Sequence, residues 1–288
     1  MCRYWPLKYV SDEQYLKWFF KSSQKKNLNL KNPETYNEKL QWLKIYNRRP
    51  EYTIMSDKYL VRDYIKKKIG EKYLIPLLGV WGSVEEINID NLPNQFVLKA
   101  NHDSGSVVIC KDKKTFNWKL EKKKLKKALK TQYFWKSREY NYYNIERKIV
   151  AEQYMIDSKD NELRDYKFYC FNGEPKFIQY DCGRFTNHIE NFYTTDWEFI
   201  PVKWGIENDQ NLSIIKPKPI DKMLELAKIL SQNIPHVRVD FYYVNNKIYF
   251  GELTFHTGGG AVPIEPISYD YEWGKYLNLP PKYIKRNI

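Results

Sequence analysis

The segment from 236 to 255 limits the possible folds of this 288-residue chain more than any other. Arg238 and Asp240 alternate with apolar residues before the pair Asn245–Asn246, and Glu252 alternates with apolar residues after it. A period of two predicts β-strands, and an Asn-Asn pair between two strands favours a tight turn. The segment therefore predicts an antiparallel hairpin whose charged side chains lie at alternate positions.

The charges of this hairpin have two interpretations. Asp240 and Glu252 would repel each other on adjacent strands unless a cation lay between them, and carboxylate oxygens suit Mg²⁺ together with phosphates. Alternatively, Arg238 pairs with Glu252 across an exposed polar face. A simple two-residue turn at Asn245–Asn246 would place the carboxylates on opposite faces, whereas a three-residue loop with a bulge would place them on the same face.

The rest of the chain predicts a mixture of helices and antiparallel strands. Up to about residue 72, apolar residues recur at intervals of three and four, which is typical of helices. Further helices are predicted at about 118–130 and 220–231, and strand pairs lie between them, one of them around the turn Asn172–Gly173. This order predicts an α+β architecture.

The composition favours an anionic partner. Lysine and arginine number 48 and the acidic residues 35, which gives a net charge of +13, and 42% of the residues are hydrophobic. This apolar fraction excludes intrinsic disorder. The lysine-rich segment 111–130 is either a solvated helix face or a surface that attracts a polyanion. No nucleic-acid-binding motif accompanies the charge, so nucleic acid is not the expected partner.

Other common classes of site find no support in the sequence. The four cysteines form no CxxC pair, and the four histidines lack the spacing of metal ligands, so a zinc module is not expected. Residues 1–10 contain no apolar stretch of signal-peptide length, and the least polar segment, 73–82, is too short to span a membrane. We expect a cytoplasmic protein without a membrane span, and a peripheral association with an assembly complex stays open.

Two further segments carry candidate binding residues. Lys99 ends a predicted strand just before small residues that could offer backbone N–H groups to phosphate oxygens, although an ordinary hairpin would look the same. Glu152 lies inside an apolar strand and needs a donor, such as an adenine amino group, a ribose hydroxyl or a neighbouring lysine. A surface-facing glutamate is the alternative.

The order of these motifs resembles the ATP-grasp superfamily over about residues 57–260. The motifs are SDK, FVLKANHDSGS, VAEQYM, RDYKFY and VRVDFYYVNNKIYFGELTF. The strings IGEKYLIPLLGVW and GGG are similar to the TupA-like branch, which is associated with teichuronopeptide and surface polysaccharide biosynthesis. The resemblance implies an ATP-grasp fold, in which two α/β subdomains with antiparallel sheets clamp ATP after a helical N-terminal region. It implies a helical region at 1–94, a lid subdomain at 95–156 and a C-terminal subdomain with the metal-binding hairpin at 157–288.

The resemblance also implies roles for individual residues. The implied ATP-binding residues are Lys58, Lys99, Ser104, Gly105, Ser106, Glu152, Tyr154, Met155, Asp165 and Lys167. The implied Mg²⁺ ligands are Asp240, Glu252 and Thr254, the last standing where the family usually has asparagine. Arg238 and Lys99 are the candidate catalytic residues, with Arg238 holding an acyl phosphate.

Two residues are candidates for substrate binding. Arg184 could hold a carboxylate through two hydrogen bonds, or be an ordinary surface arginine. His256 precedes Gly258–Gly260, whose glycines permit close approach of a ligand or form a plain mobile loop.

The function implied is an ATP-dependent carboxylate–amine ligase. It would form an amide on a sugar acid of a capsule or other surface polysaccharide through an acyl phosphate. Its partners would be an anionic sugar or polysaccharide acceptor and an amine or amino acid, and its cofactors ATP and Mg²⁺. The alternatives are a kinase of a sugar hydroxyl on the same fold and a non-catalytic polyanion-binding protein.

Overall fold

The computed structural model describes residues 8–158, 163–183, 188–212 and 214–283. The chain folds into two compact units. Unit 1 contains Pro50–Met155, and unit 2 contains Tyr9–Arg49 together with the chain from Ile156 onward. Unit 2 is thus built from two separate parts of the sequence.

The helices and strands follow the predicted α+β mixture. The helices are α1 (Asp12–Gln24), α2 (Tyr36–Tyr46), α3 (Glu51–Ser56), α4 (Val61–Lys68), α5 (Trp118–Lys130), α6 (Phe134–Ser137), α7 (Ile220–Ser231) and α8 (Ser268–Tyr276). The strands are β1 (Leu77–Trp81), β2 (Phe96–Ala100), β3 (Val107–Cys110), β4 (Ile149–Gln153), β5 (Asp165–Phe171), β6 (Glu174–Cys182), β7 (Ile189–Thr194), β8 (Phe199–Ile200), β9 (His236–Val244) and β10 (Lys247–Thr254). The helices predicted at 118–130 and 220–231 have these bounds.

Unit 1 is built on a four-stranded antiparallel sheet in the order β1-β4-β2-β3. Helix α5 covers this sheet, and its residues Leu125 and Ala128 are buried with Phe96 and Leu98 of β2. The helix starts where the side chain of Asn117 accepts a hydrogen bond from the backbone N–H of Leu120. The apolar stripe of α5 therefore faces the sheet, and most of its lysines are exposed.

Unit 2 is built on a six-stranded antiparallel sheet in the order β10-β9-β5-β6-β7-β8. Helix α7 packs against strands β5, β6 and β9, and Cys170 of β5 lies against the Ala227 carbonyl of that helix. Neighbouring residues of a strand point to opposite faces, so Tyr169 faces away from α7. That second face carries an aromatic core in which Tyr169 and Phe177 pack with Trp273 of α8.

Helix α2 comes from the first part of the sequence and completes the core of unit 2. Thr35 caps its start in a capping box with Glu38. Asn37 donates from its backbone and its side chain to Asp270 of α8, at 2.9 and 3.2 Å. Tyr36 packs edge to face on Phe171. Helix α2 is therefore part of the packed core of unit 2.

The hairpin predicted at Asn172–Gly173 joins β5 to β6, and both turn residues have positive φ, 50° and 86°. Within the described residues, Cys110, Cys170 and Cys182 form no disulfide bond. In the part of the chain that the structure describes, no helix is both long enough and apolar enough to cross a membrane.

The contact between α8 and the segment before α2 generates a stability prediction. A Cβ atom at Gly274 would lie 2.1 Å from the backbone oxygen of Glu34. Replacing glycine by alanine inside a helix usually stabilises a protein by about 1 kcal/mol. Because a backbone atom blocks the methyl group here, we expect Gly274→Ala to lower the free energy of unfolding by about 2 kcal/mol, measured by urea denaturation.

Gly82→Ala is the matched control, since a Cβ at Gly82 meets nothing within 4 Å. We expect it to change the free energy of unfolding by less than about 0.5 kcal/mol. A stabilised Gly274→Ala protein would show that α8 does not lie so close to the backbone before α2.

Candidate active site

Lys99 and Glu152 form an ion pair on the sheet of unit 1. Strands β2 and β4 pair so that Lys99 lies opposite Val150, two residues before Glu152. The Nζ atom of Lys99 is 2.7 Å from Glu152 Oε2. Arg62 of α4 brings Nη1 to 3.3 Å from Glu152 Oε1 and donates through Nη2 to the Ile75 carbonyl. The buried glutamate is thus held by two cations, one of them the neighbouring lysine that the sequence left as an alternative.

Lys58 contacts the predicted phosphate loop directly. Its Nζ donates to the backbone carbonyl of Asp103, and Ser106 donates to the carboxylate of the same aspartate. Ser104 and Gly105 at the tip of the loop are exposed, and Gly105 has a φ of 99°, a conformation that favours glycine. Unit 1 therefore brings Lys58 to the small-residue loop that follows Lys99.

Asn101 and Asp57 connect these parts, and the sequence reasoning missed both. The side chain of Asn101 donates to Asp57 Oδ2 at 3.0 Å and to the Glu146 carbonyl at 2.9 Å, and it accepts from the backbone N–H of Lys148. The backbone N–H of Lys58 donates to the Asn101 carbonyl. Asp57 directly precedes Lys58, and Asn101 follows Lys99 by two residues. This closeness to the predicted phosphate lysines was the signal in the sequence that could have identified both. Asn101 fixes the positions of Lys58 and of the strand end that carries Lys99.

The terminal hairpin of unit 2 has an unexpected register. Asn245 and Asn246 form a two-residue turn with φ values of 50° and 61°, so the three-residue loop considered from the sequence is wrong. Instead, the bulge lies inside β10, where Gly251 and Glu252 together oppose Asp240. The extra residue restores the alternation that brings Glu252 to the same side as Asp240.

Gly251 allows this bulge to form. A Cβ there would lie 3.2 Å from the carbonyl oxygen of Asp240 and 3.4 Å from its Cβ. Both are tight contacts with the strand that carries the aspartate. A glycine at this position therefore lets the two strands approach each other closely.

Arg238 joins the two carboxylates of the hairpin. Its Nε lies 2.7 Å from Asp240 Oδ1, and its Nη2 lies 2.6 Å from Asp240 Oδ2 and 2.9 Å from Glu252 Oε1. The side chains of Arg238 and Asp240 are 13% and 6% exposed, whereas that of Glu252 is 47% exposed. Burial raises the pKa of Asp240 to about 7, and the guanidinium of Arg238 opposes that rise.

The donor set of this hairpin fits a hard divalent cation. Two carboxylates reach one point on one side of the sheet, which is the chemistry that Mg²⁺ prefers. Thr254 donates its hydroxyl to Glu252 Oε1 at 3.1 Å, so it lies beside the same oxygen. The cation-mediated pair and the cross-strand arginine pair, two alternatives from the sequence, thus involve the same atoms.

A row of charged side chains continues from Asp240 across the sheet. Lys167 lies opposite Asp240 in register, and its Nζ pairs with Asp181 of β6. Asp181 in turn lies opposite Glu190 of β7, and His188 Nε2 is 3.6 and 3.8 Å from their carboxylates. Lys167 was expected from the resemblance, but Asp181, His188 and Glu190 were not. The alternation of Asp181 with apolar residues was the one signal for them.

The remaining candidates are distributed over both units. Tyr154 and the buried Met155 follow the end of β4 in unit 1. Asp165 begins β5 in unit 2, is buried, and lies opposite Asp181 and Tyr242 in register. His256 is buried just after β10. Arg184 lies outside the described residues.

The glycine segment after the hairpin is held by helix α2. Gly258, Gly259 and Gly260 all have φ values near 60°. Gln41 and Lys44 of α2 donate to the Gly259 carbonyl at 2.9 and 2.6 Å. The segment is therefore a tight turn fixed by side chains, in contrast to the plain mobile loop that the sequence left open.

A buried hydrogen-bond chain holds α2 to the start of β9. His236 donates from Nδ1 to the Cys170 carbonyl at 3.0 Å, because a carbonyl can only accept. Its Nε2 therefore accepts from the Tyr36 hydroxyl at 2.9 Å. Burial lowers the pKa of His236 to about 3, so the ring is neutral. This chain fixes β9 two residues before Arg238.

Comparison with known proteins agrees with the order of these motifs. A family model described as "TupA-like ATPgrasp" matches residues 38–278. The chain belongs to the TupA-like ATP-grasp family. The match includes parts of both units and every described candidate residue, so the α+β fold predicted from the resemblance is the fold of this family. A search of curated proteins gave no match.

Solved structures similar to this family member include several enzymes. D-alanine–D-alanine ligase from Bacillus anthracis complexed with ATP is 17% identical with a TM-score of 0.39, over 70% of this chain and 54% of that one. The corresponding ligase from Helicobacter pylori is 15% identical with a TM-score of 0.40, over 78% and 62%. The biotin carboxylase domain of Hydrogenobacter thermophilus 2-oxoglutarate carboxylase is 15% identical with a TM-score of 0.41, over 70% and 40%. The chain thus spans less than two thirds of the length of each.

The neutral, buried His236 generates a prediction about pH. Its pKa is about 3 in the folded protein and about 6.5 when unfolded, so the stability it contributes is present above pH 6.5 and is lost as the pH falls. We expect wild-type protein to lose about 2 kcal/mol more of its free energy of unfolding between pH 7.5 and pH 5 than His236→Asn does. Urea denaturation at both pH values measures this difference, and equal losses would contradict a neutral buried imidazole.

Proposed function

We propose that the protein is an ATP-dependent carboxylate–amine ligase that forms an amide on a sugar acid. The observation that supports this most is the bulged hairpin, where Asp240 and Glu252 share the guanidinium of Arg238 in a member of the TupA-like ATP-grasp family. A carboxylate pair suits the cation that accompanies ATP, and a buried arginine suits an anionic intermediate.

In unit 1, Lys58 and Lys99 are proposed to bind the phosphates of ATP. Glu152 pairs with Lys99 and is itself held by Arg62, so Lys99 acts as a positioned charge. The backbone N–H groups of the Ser104–Ser106 loop are proposed to cover the phosphates. Lysine side chains compensate the charge that moves during phosphoryl transfer.

Five further residues are proposed to bind the adenosine part of ATP. We propose Glu152, Tyr154 and Met155 for adenine, and Asp165 with Lys167 for the ribose and its surroundings. The division by role, with a helical region at 1–94, a lid at 95–156 and a metal-binding subdomain at 157–288, stays a prediction.

Asp240 and Glu252 are the proposed Mg²⁺ ligands, with Thr254 beside them. When bound, Mg²⁺ neutralises negative charge on the phosphates. Thr254 keeps an oxygen donor where the family usually has asparagine, and its contact with Glu252 orients that carboxylate.

The proposed reaction has two steps. A carboxylate oxygen of the acid bonds to the γ-phosphorus, the bond to the bridging oxygen breaks, and ADP leaves. The amine nitrogen then bonds to the acyl carbon, the bond from that carbon to the phosphate oxygen breaks, and the amine releases a proton to solvent. Arg238 holds the negative charge of the acyl phosphate. No protein side chain has to form a covalent bond.

The proposed acceptor is an anionic sugar or polysaccharide of the cell surface. The net charge of +13 and the exposed lysines of α5 would attract such a polyanion. His256 and Arg184 are proposed to contact the acceptor. The proposed location is the cytoplasm, where ATP is supplied, and an amine or amino acid is the second substrate.

Trapping of the intermediate tests the ligase proposal. We expect ATP, Mg²⁺ and a sugar acid to give slow ADP release that an amine accelerates. The acid and the amine are identified by screening uronic acids against amines and amino acids. Hydroxylamine should replace the amine and yield a hydroxamate of the sugar acid, detected by mass spectrometry, because an acyl phosphate reacts with this nucleophile.

The matched control is the neutral sugar that lacks the carboxylate, which should give no hydroxamate. A product that carries phosphate on a hydroxyl, with no dependence on an amine, would replace the ligase by a kinase. Glycan binding that persists without any use of ATP would indicate a non-catalytic protein.

Removing the charge of Lys99 tests the phosphate site. Lys99→Met should lower turnover about 100-fold, the cost of one electrostatic stabiliser of the transition state, measured as ADP release with the acceptor found above. Lys17→Met, at an exposed lysine of α1, is the control and should leave turnover unchanged. Normal turnover in correctly folded Lys99→Met would remove Lys99 from the site.

A further inference from the structure

One nitrogen atom of Arg238 lies between the two carboxylates of the hairpin. Nη2 contacts one oxygen of each, Asp240 Oδ2 at 2.6 Å and Glu252 Oε1 at 2.9 Å. Nε contacts the other oxygen of Asp240 at 2.7 Å. The guanidinium thus takes the position of a cation that bridges the two side chains.

A magnesium ion bound by the same two oxygens would need this position. Its bonds to oxygen are roughly 2.0 to 2.1 Å long, so the ion would lie between Asp240 Oδ2 and Glu252 Oε1, where Nη2 is found. A metal ion in this position would also repel the positively charged guanidinium. The bridging Arg238 contact and a bridging metal ion therefore exclude each other.

We propose that a divalent cation and the guanidinium of Arg238 exchange at the Asp240–Glu252 pair. Binding of the cation moves Nη2 away from the carboxylates, and loss of the cation returns it. This exchange rests on the proposed function, in which the two carboxylates hold Mg²⁺ and Arg238 holds an anionic group of the substrate. It adds that Arg238 can hold the anionic group of the substrate only when the cation is bound.

The surroundings of the pair favour an exchange at this point. Glu252 is about half exposed, so its carboxylate can turn with little loss of packing. Lys167, the cation opposite Asp240 in register, pairs with Asp181. Among the described residues, Arg238 therefore forms the ion pair with Asp240 that competes with a metal ion.

The exchange couples the metal ion to the anionic substrate. The Arg238 side chain is 13% exposed, and a buried guanidinium that loses its carboxylates needs another anion. A carboxylate or phosphate group of the substrate supplies that anion in a geometry that suits two parallel hydrogen bonds. Because coupling of two binding equilibria is reciprocal, metal and anion each strengthen the binding of the other.

Metal affinity without nucleotide tests the competition. The full chain is titrated with Mn²⁺ at pH 8, and free Mn²⁺ is followed by electron paramagnetic resonance. We expect Arg238→Met to bind Mn²⁺ at least about tenfold more tightly than wild type, since the competing charge is gone. Arg238→Lys, which keeps the charge but loses the fork, should fall between them.

The double variant Arg238→Met, Asp240→Asn assigns the measured affinity to this site. It should lose the tight binding of the single variant. Unchanged or weaker Mn²⁺ affinity in folded Arg238→Met would overturn the exchange, because Arg238 would then not compete with the metal ion.

The wild-type protein gives a second test that needs no neutral variant. The Nε–H signal of Arg238 in ¹⁵N-labelled protein is assigned by its absence in Arg238→Lys. Mg²⁺ should shift this signal and speed its exchange with water, because the hydrogen bond to Asp240 is lost, and Asp240→Asn should show no response. If Mg²⁺ releases the bound Mn²⁺ but leaves the Nε–H signal of Arg238 unchanged, the exchange is also overturned.

Inorganic phosphate tests the coupling to an anion. Saturating Mg²⁺ should increase the affinity of wild-type protein for phosphate at least about tenfold more than that of Arg238→Met. An equal increase in both would limit Arg238 to competition with the metal and overturn the coupling. These measurements need neither ATP nor an amine, so they are independent of whether the ligase or the kinase reaction is found.

Discussion

The extra residue in β10 determines the chemistry available at the end of the chain. Without the bulge at Gly251–Glu252, the register set by the Asn245–Asn246 turn would place Glu252 on the face opposite Asp240. With it, both carboxylates contact Arg238. The local departure from a regular ladder therefore brings these three charged side chains together, and the close approach at Gly251 shows why a larger residue would disturb it.

The rest of unit 2 fixes this hairpin from the side of β9. His236, two residues before Arg238, hydrogen-bonds to Tyr36 of the aromatic core, and Gly259, five residues after the end of β10, accepts a hydrogen bond from Gln41 of α2. Lys167 extends the charged row to Asp181. Asp240 pairs with Arg238 and Lys167 pairs with Asp181, which reduces the cost of burying these charges on one face of a sheet.

Much of this arrangement could be predicted from the sequence, because period and turn chemistry are local properties. The bounds of α5 and α7 and the Asn172–Gly173 turn belong to this group. The position of the bulge could not be predicted, since it depends on the fit of two strands around Gly251. Asn101 was missed because its partners are distant in sequence, from Asp57 to Lys148, and a buried amide has no period of its own.

The composition of unit 2 from two parts of the sequence has a consequence for the order of folding during synthesis. Pro50–Met155 is continuous, so unit 1 can fold as soon as it has left the ribosome. Helix α2 is made earlier, but its partners Phe171, His236 and Asp270 follow more than a hundred residues later. The apolar side chains of α2 therefore stay without these partners during most of synthesis, and the helix is exposed to aggregation or to chaperones for that time.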